Sequence, residues 1–318
     1  MRSVICTLFE GQYHHGVAAL CNSLYSQGYH GEIYVGYKGN LPTWSVKATL
    51  NQSLNWIGGQ TLEISSGLRL HFLPLDTDYF LANYKPDFML RLWQELAIEA
   101  EAMFYFDPDI IVTTPWGVFE EWVESGVALC EDVHSPKAMY HPVRVAWREY
   151  FGAKGLKLEF KEAFYANSGF IGVNVKDQSF LKAWQLVQER MAPAIGGLSV
   201  SFLTLVPSLR PFAPFNLPDQ DALNAAVEFW DGAISFVGKS GMGFAPDASL
   251  MSHAVGKGKP WIRKPLLQIV TGEVPRRADR DYWNLASGPI MSQSVSLIWR
   301  RRLAIRIAAM IGRFYSKN

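Results

Sequence analysis

With 318 residues, 49% of them hydrophobic and 19% charged, the chain is long enough to bury a large core and too apolar to be disordered. Its net charge of +1 is unevenly spread: residues 299–318 hold six Lys/Arg and no Asp/Glu, which leaves −5 on the remainder and argues against nucleic acid as a partner. Three cysteines among apolar neighbours exclude a disulfide framework, and no run of eighteen apolar residues is present to cross a membrane.

The start, MRSVICTLFEG, shows no signal-peptide core, so the chain is expected in a reducing cytosol. Residues 4–9 read as a first strand that runs into the polar loop 10–15. Residues 16–31 (GVAALCNSLYSQGYHG) carry apolar side chains at helical spacing and stop at glycine. Strands are predicted at 32–37 (EIYVGY) and 68–75, and an amphipathic helix with an acidic start at 87–100. A strand at 103–106, a helix at 116–124 and a strand at 127–130 follow. In the second half, 168–175 (SGFIGVNV) reads as a strand and 177–191 as a helix. The Pro- and Gly-rich stretch 193–218 reads as a surface connection, 219–229 as a helix with acidic first turn, and 234–238 as a short strand. Alternating strands and helices predict an α/β sheet covered on both faces, with ligand loops at the strand ends.

Two stretches carry chemistry. In MFYFDPDIIVTTP (103–115), Asp107 and Asp109 interrupt an apolar strand. Residues two apart on extended backbone share a side, so the two carboxylates crowd each other. Asp-Pro-Asp fits a solvated turn, and it equally fits a divalent metal held by oxygen ligands. The second stretch, MSHAVGKGKPW (251–261), combines glycines that let backbone approach a ligand, lysines that meet phosphate, and a histidine able to bind metal.

Together, Asp107-Pro108-Asp109 and the order His-x-x-Gly-x-x-Lys-Pro-Trp from His253 to Trp261 resemble the retaining glycosyltransferases of family 8. That group contains glycogenin and bacterial lipopolysaccharide galactosyltransferases. The resemblance covers roughly residues 1–265 as a catalytic domain. It implies the GT-A nucleotide-diphospho-sugar transferase fold, a mixed and mostly parallel central sheet flanked by helices. Residues 266–318 would then be a C-terminal extension. By the same resemblance Thr7, Glu10, Tyr13, Arg91, Asp107, Asn167, Gly256, Gly258 and Lys259 bind the donor, Tyr13 stacking on the base and Lys259 meeting the diphosphate. Asp107, Asp109 and His253 hold Mn²⁺ or Mg²⁺. Asp219, Gln220 and Asp221 lie beside the anomeric carbon. Glu10 and Gln12 stand where the family has Asp and Asn, and residues 41–75 match nothing in it.

A retaining reaction uses either a carboxylate nucleophile or a front-face attack in which the leaving diphosphate takes the acceptor's proton. The neutral Gln220 amide is a poor nucleophile, which favours front-face attack, with Asp219 bonding sugar hydroxyls. Asp219 and Asp221 also suit the capping of a helix start. The implied function is metal-dependent retaining hexosyl transfer from a nucleotide diphosphate-sugar, with UDP expected, to a membrane-linked or cell-surface glycan or glycolipid. A nucleotidyltransferase on a similar fold and a non-catalytic nucleotide-sugar-binding protein are the alternatives.

The tail is independent of that resemblance. Leu303, Ile307, Met310, Ile311 and Phe314 recur at helical spacing, beside Arg302, Arg306, Arg313 and Lys317. A basic amphipathic helix over about 295–316 is therefore expected, either peripheral on an anionic membrane surface or docked on the chain's own acidic body. No catalytic candidate lies beyond Trp261, so loss of the tail is expected to leave turnover intact.

Overall fold

The computed structural model describes residues 1–201, 204, 212–256 and 258–314. Lys257, Lys317 and part of the 193–218 connection lie outside the described residues. Strand β1 (Ser3–Glu10) leads into α1 (His14–Ser26) and β2 (Glu32–Lys38). The unmatched segment then supplies β3 (Thr49–Leu50), β4 (Gln60–Ser65) and β5 (Leu68–Pro74). Next come α2 (Lys85–Glu95), β6 (Ala102–Phe106), β7 (Ile110–Val112), α3 (Gly117–Val123) and β8 (Val127–Cys130). The chain continues through α4 (Pro142–Gly152), β9 (Phe170–Asn174), α5 (Ser179–Ile195), α6 (Pro218–Phe229), β10 (Ile234–Val237) and β11 (Met251–His253). It ends in α7 (Pro265–Val270), α8 (Arg277–Leu285) and α9 (Val295–Gly312).

Nine strands form one sheet in the order β10-β8-β9-β6-β1-β2-β5-β4-β3. The central run β6-β1-β2-β5 is parallel, as is β10 with β8, whereas β9 runs against both its neighbours. Because β9 is reversed, its entrance lies at the same sheet edge as the exits of β1, β6 and β8. Alternation along β1 splits the core: Val4, Cys6 and Leu8 enter the cluster beneath α2, α5 and α6, while Ile5 and Phe9 enter the one beneath α1 and α3. Burying both faces is what makes the strands near-continuous apolar runs. All three cysteines are free and buried.

Helix α2 starts at Lys85, two residues earlier than expected, with Pro86 in its first turn, and ends at Glu95 instead of 100. Helix α5 runs past Pro193 to Ile195 and is closed by Gly196 in the left-handed region at φ 86°. The C-terminal helices are not a separate body. Ile298 and Ile305 of α9 share a cluster with Tyr282 and Trp283 of α8 and with Ala19, Ile111 and Trp261. The tail helix therefore docks on the body through one face. Arg302 turns inward, donating to Trp283 O and Asn284 O, and Ile307 is half-buried.

Candidate active site

The metal candidates are brought together by a ribbon that sequence reading missed. β7 and β11 pair antiparallel, setting Ile110 opposite His253, and Ala254 N donates to Asp109 O at 3.1 Å. Asp107 leaves β6 in a tight turn: its N–H donates to Gly169 O and its carbonyl accepts from Ile110 N. Ligand atoms of Asp107, Asp109 and His253 consequently lie within 4.8 Å of one another. His253 Nε2 sits 3.3 Å from Asp109 Oδ1 and 3.9 Å from Asp107 Oδ2. Burial pushes the Asp109 carboxyl up, but His253 and Lys259 reverse this and hold it well below the usual carboxylate range. Two carboxylates and one imidazole suit Mn²⁺ or Mg²⁺ as a donor set.

Two glycines make this convergence possible. A Cβ on Gly16, in the first turn of α1, would stand 2.1 Å from the Pro108 carbonyl oxygen. One on Gly169 would stand 2.5 Å from His253 Cε1 and 2.9 Å from Asn167 Oδ1. Gly169→Ala should displace the imidazole and weaken Mn²⁺ binding by about tenfold or more, the scale of disturbing a ligand's support. Calorimetric titration with Mn²⁺ checks this, and wild-type affinity would show that His253 is not held by this packing.

Lys85 is the cation that joins the aspartates, and sequence reading passed over it. Its buried Nζ lies 3.1 Å from Asp107 Oδ1 and 3.6 Å from Asp219 Oδ2 and donates to Ser168 O at 2.8 Å. A signal was present. Lysine in the first turn of a helix opposes the macrodipole, so its placement there calls for a nearby anion. Arg91, expected to bind the donor, is placed apart from this cluster: its guanidinium lies 3.6 Å from the centre of the Trp56 ring and pairs with Glu95.

On the other side of the cluster, Ser168 Oγ donates to Asp219 Oδ2 at 2.6 Å, and Ser168 N donates to Gln220 Oε1 at 3.3 Å. The Gln220 Nε2 group is buried without a partner. Asn167 Nδ2 donates to Asp132 Oδ2 at 2.7 Å, which adds the buried Asp132 to the group. Asp221 turns away: its oxygens accept from Tyr165 OH and Leu217 N, both at 2.8 Å, as a capping carboxylate does. Burial pushes its carboxyl up to about 6.

The first loop and the loop after β11 face each other. Tyr13 is 38% exposed and meets Trp261 edge-on at 5.6 Å, with Lys259 Nζ 5.8 Å from its ring centre. Thr7 is fully buried in β1 with its Oγ1 unpaired, and Glu10 is exposed at the strand's end. Lys259 bonds Asp109 Oδ2 and, at 2.8 Å, Ala254 O. Gly256 and Gly258 take φ of 77° and 79°. Among the described residues, the amides of Gly256, Gly258 and Lys259 have no hydrogen-bond partner.

No family model matches the chain, and no curated protein does. Solved structures do. The bifunctional glycosyltransferase WbbM, in its apo form, superposes with a TM-score of 0.51 at 15% identity, over 95% of this chain and 52% of that one. The glycosyltransferase GlyE of Streptococcus pneumoniae TIGR4 gives 0.51 at 16%, over 96% and 64%. The galactosyltransferase LgtC, solved with donor and acceptor sugar analogs, gives 0.50 at 14%, over 94% and 99%. The chain thus spans about half of the first protein and under two thirds of the second. At these identities the likeness is one of fold, and that fold is the GT-A fold of glycosyltransferases.

Proposed function

We propose that the chain is a metal-dependent retaining glycosyltransferase that moves a hexose from a nucleotide diphosphate-sugar, a UDP-sugar first, to a glycan or glycolipid acceptor. One observation carries the reading: the Asp107–Asp109–His253 cluster shares a sheet edge with a loop of unpaired amides and Lys259. Asp107, Asp109 and His253 would hold Mn²⁺ or Mg²⁺, which supplies Lewis-acid neutralisation of the leaving diphosphate. Lys259 and the amides of Gly256 and Gly258 would hold diphosphate oxygens, Tyr13 the base, and the buried Lys85 would hold Asp107 and Asp219 in place. Asp219, Asn167 and Asp132 suit sugar hydroxyls. Gln220 offers a neutral dipole beside the anomeric carbon, where front-face attack forms the new bond on the side from which diphosphate leaves and passes the acceptor's proton to it. Incubation with Mn²⁺ and UDP-, GDP- and CDP-sugars should release nucleoside diphosphate from one of them. Undiminished release in excess chelator would reject the metal.

The exposed surface of α9 supports a membrane-linked acceptor. No helix among the described residues is long and apolar enough to cross a membrane. Yet α9 exposes Trp299 (65%), Leu303 and Met310, Phe314 just beyond it is 90% exposed, and α7 adds Leu266, Leu267 and Val270. The two helices pack on each other, and Arg306 and Arg313 share the exposed side of α9 with these apolar groups, which suits peripheral attachment to an anionic cytosolic leaflet. Of the stripe read off the sequence, Leu303, Met310, Ile311 and Phe314 are exposed and Ile307 is half-buried, while Ile305 and Ala308, outside that stripe, face the body. The double variant Trp299→Glu, Leu303→Glu should keep its melting temperature and no longer co-sediment with anionic vesicles. Co-sedimentation equal to wild type would remove this face from the interaction.

A further inference from the structure

The loop after β11 is held from behind by the C-terminal helices. The Arg276 guanidinium, preceding α8, donates from Nη1 to Val255 O at 2.9 Å and from Nη2 to Gly258 O at 2.8 Å. Asp279 fixes that guanidinium, accepting from Nε at 3.1 Å and from Nη2 at 2.9 Å. Trp283 Nε1 donates to Pro260 O at 3.1 Å, and Arg301 Nη1 of α9 donates to Arg263 O at 2.7 Å. Four carbonyls between 255 and 263 are thus taken by side chains from 276 to 301. The amides of Gly256, Gly258 and Lys259 are left without partners among the described residues. Gly256 is exposed and Gly258 and Lys259 are half-buried, so these amides can face solvent or a ligand. Here the acceptors are satisfied by the protein and the donors are left open.

Arg276 has the central place in this arrangement. Among the described residues, it alone bonds both the Val255 and the Gly258 carbonyl, on either side of Gly256. Both glycines have positive φ, and glycine has little backbone preference of its own, so the turn needs an external tie to stay in one conformation. An ordered loop meets its ligand without losing further freedom.

We propose that Arg276 is a positioning residue of the donor site, holding the Gly256–Gly258 turn so that its unpaired amides stand ready for a diphosphate. The proposal rests on the reading of this loop as the diphosphate site, and it extends the site into helices beyond residue 265. Arg276 touches no substrate; it acts through the loop carbonyls.

The test uses the full chain in Mn²⁺, titrated calorimetrically with uridine, cytidine and guanosine and with the three matching nucleoside diphosphates. Arg276→Met should leave nucleoside affinity unchanged, because the base is met by Tyr13, and weaken the diphosphate about tenfold or more. Arg276→Lys, which reaches one carbonyl, should fall between. Arg277→Met is the control: that guanidinium bonds Asp247 O at 3.0 Å, away from the turn. Equal diphosphate binding by wild type and Arg276→Met overturns the proposal. A parallel loss of nucleoside and diphosphate also overturns it, because Arg276 would then merely support the fold. If Arg276→Met does not fold, Arg276→Lys is judged by the same two criteria. A wild type that binds its nucleoside as tightly as the diphosphate rejects the diphosphate reading itself, and the proposal with it.

Discussion

Asp109→Asn should lower turnover by about two to three orders of magnitude, the scale of removing one well-placed electrostatic group from an active site. The substitution preserves shape in a site that is only 5% exposed. It removes the charge that His253, 3.3 Å away, and Lys259 both answer. A neutral amide is a far weaker ligand for a hard cation, so Mn²⁺ affinity by calorimetry should fall together with the rate. The fold should survive, because Ala254 N bonds the Asp109 backbone carbonyl and not its side chain, and Lys259 keeps the Ala254 carbonyl. A variant with wild-type turnover, or wild-type Mn²⁺ binding, would mean that the pair is only a turn.

Removal of residues 295–318 should cost much more than sequence reading alone suggested. Ile298 and Ile305 are 3% and 5% exposed against Trp283 and its neighbours. Losing two such side chains costs about 3–6 kcal/mol by area alone. Arg301 and Arg302 leave with them, freeing the carbonyls of Arg263, Trp283 and Asn284. A fall in melting temperature on the order of 5–10 °C is expected, with donor binding weakened because Trp283 also holds Pro260 O. A truncated chain that melts and turns over like wild type would make α9 a detachable anchor.

Much of the sheet was legible because its strands are apolar on both faces and several residues long. β7 and β11 were not: three residues are too few to show a period, and their pairing joins segments more than 130 residues apart. Residues 41–75 hid β3 and β4 because both lie at the sheet's edge and are largely polar. Asp107, Asp109, His253 and Lys259 were legible through residue order. Lys85 was passed over because the helix was started two residues late, which left it outside the helix. Which side of α9 meets the body was not legible: the helix carries apolar groups on nearly all sides, and only neighbours decide which of them are covered. Arg276 and Trp283 act through backbone carbonyls, which leave no pattern in a sequence.

The strand order has a consequence for how specificity is apportioned. Tyr13 follows β1, Asp107 follows β6, Asn167 precedes β9 and Asp132 follows β8, and these four strands are consecutive neighbours. At about 4.8 Å per strand, the walk from β1 to β8 covers roughly 14 Å, comparable to an extended nucleotide-sugar. On the proposed reading, the edge works as a ruler with base, phosphates, sugar and acceptor at successive marks. Exchanges near one mark need not disturb the others: changes around Asn167 and Asp132 should alter which sugar or acceptor is taken while leaving the nucleotide preference where it was.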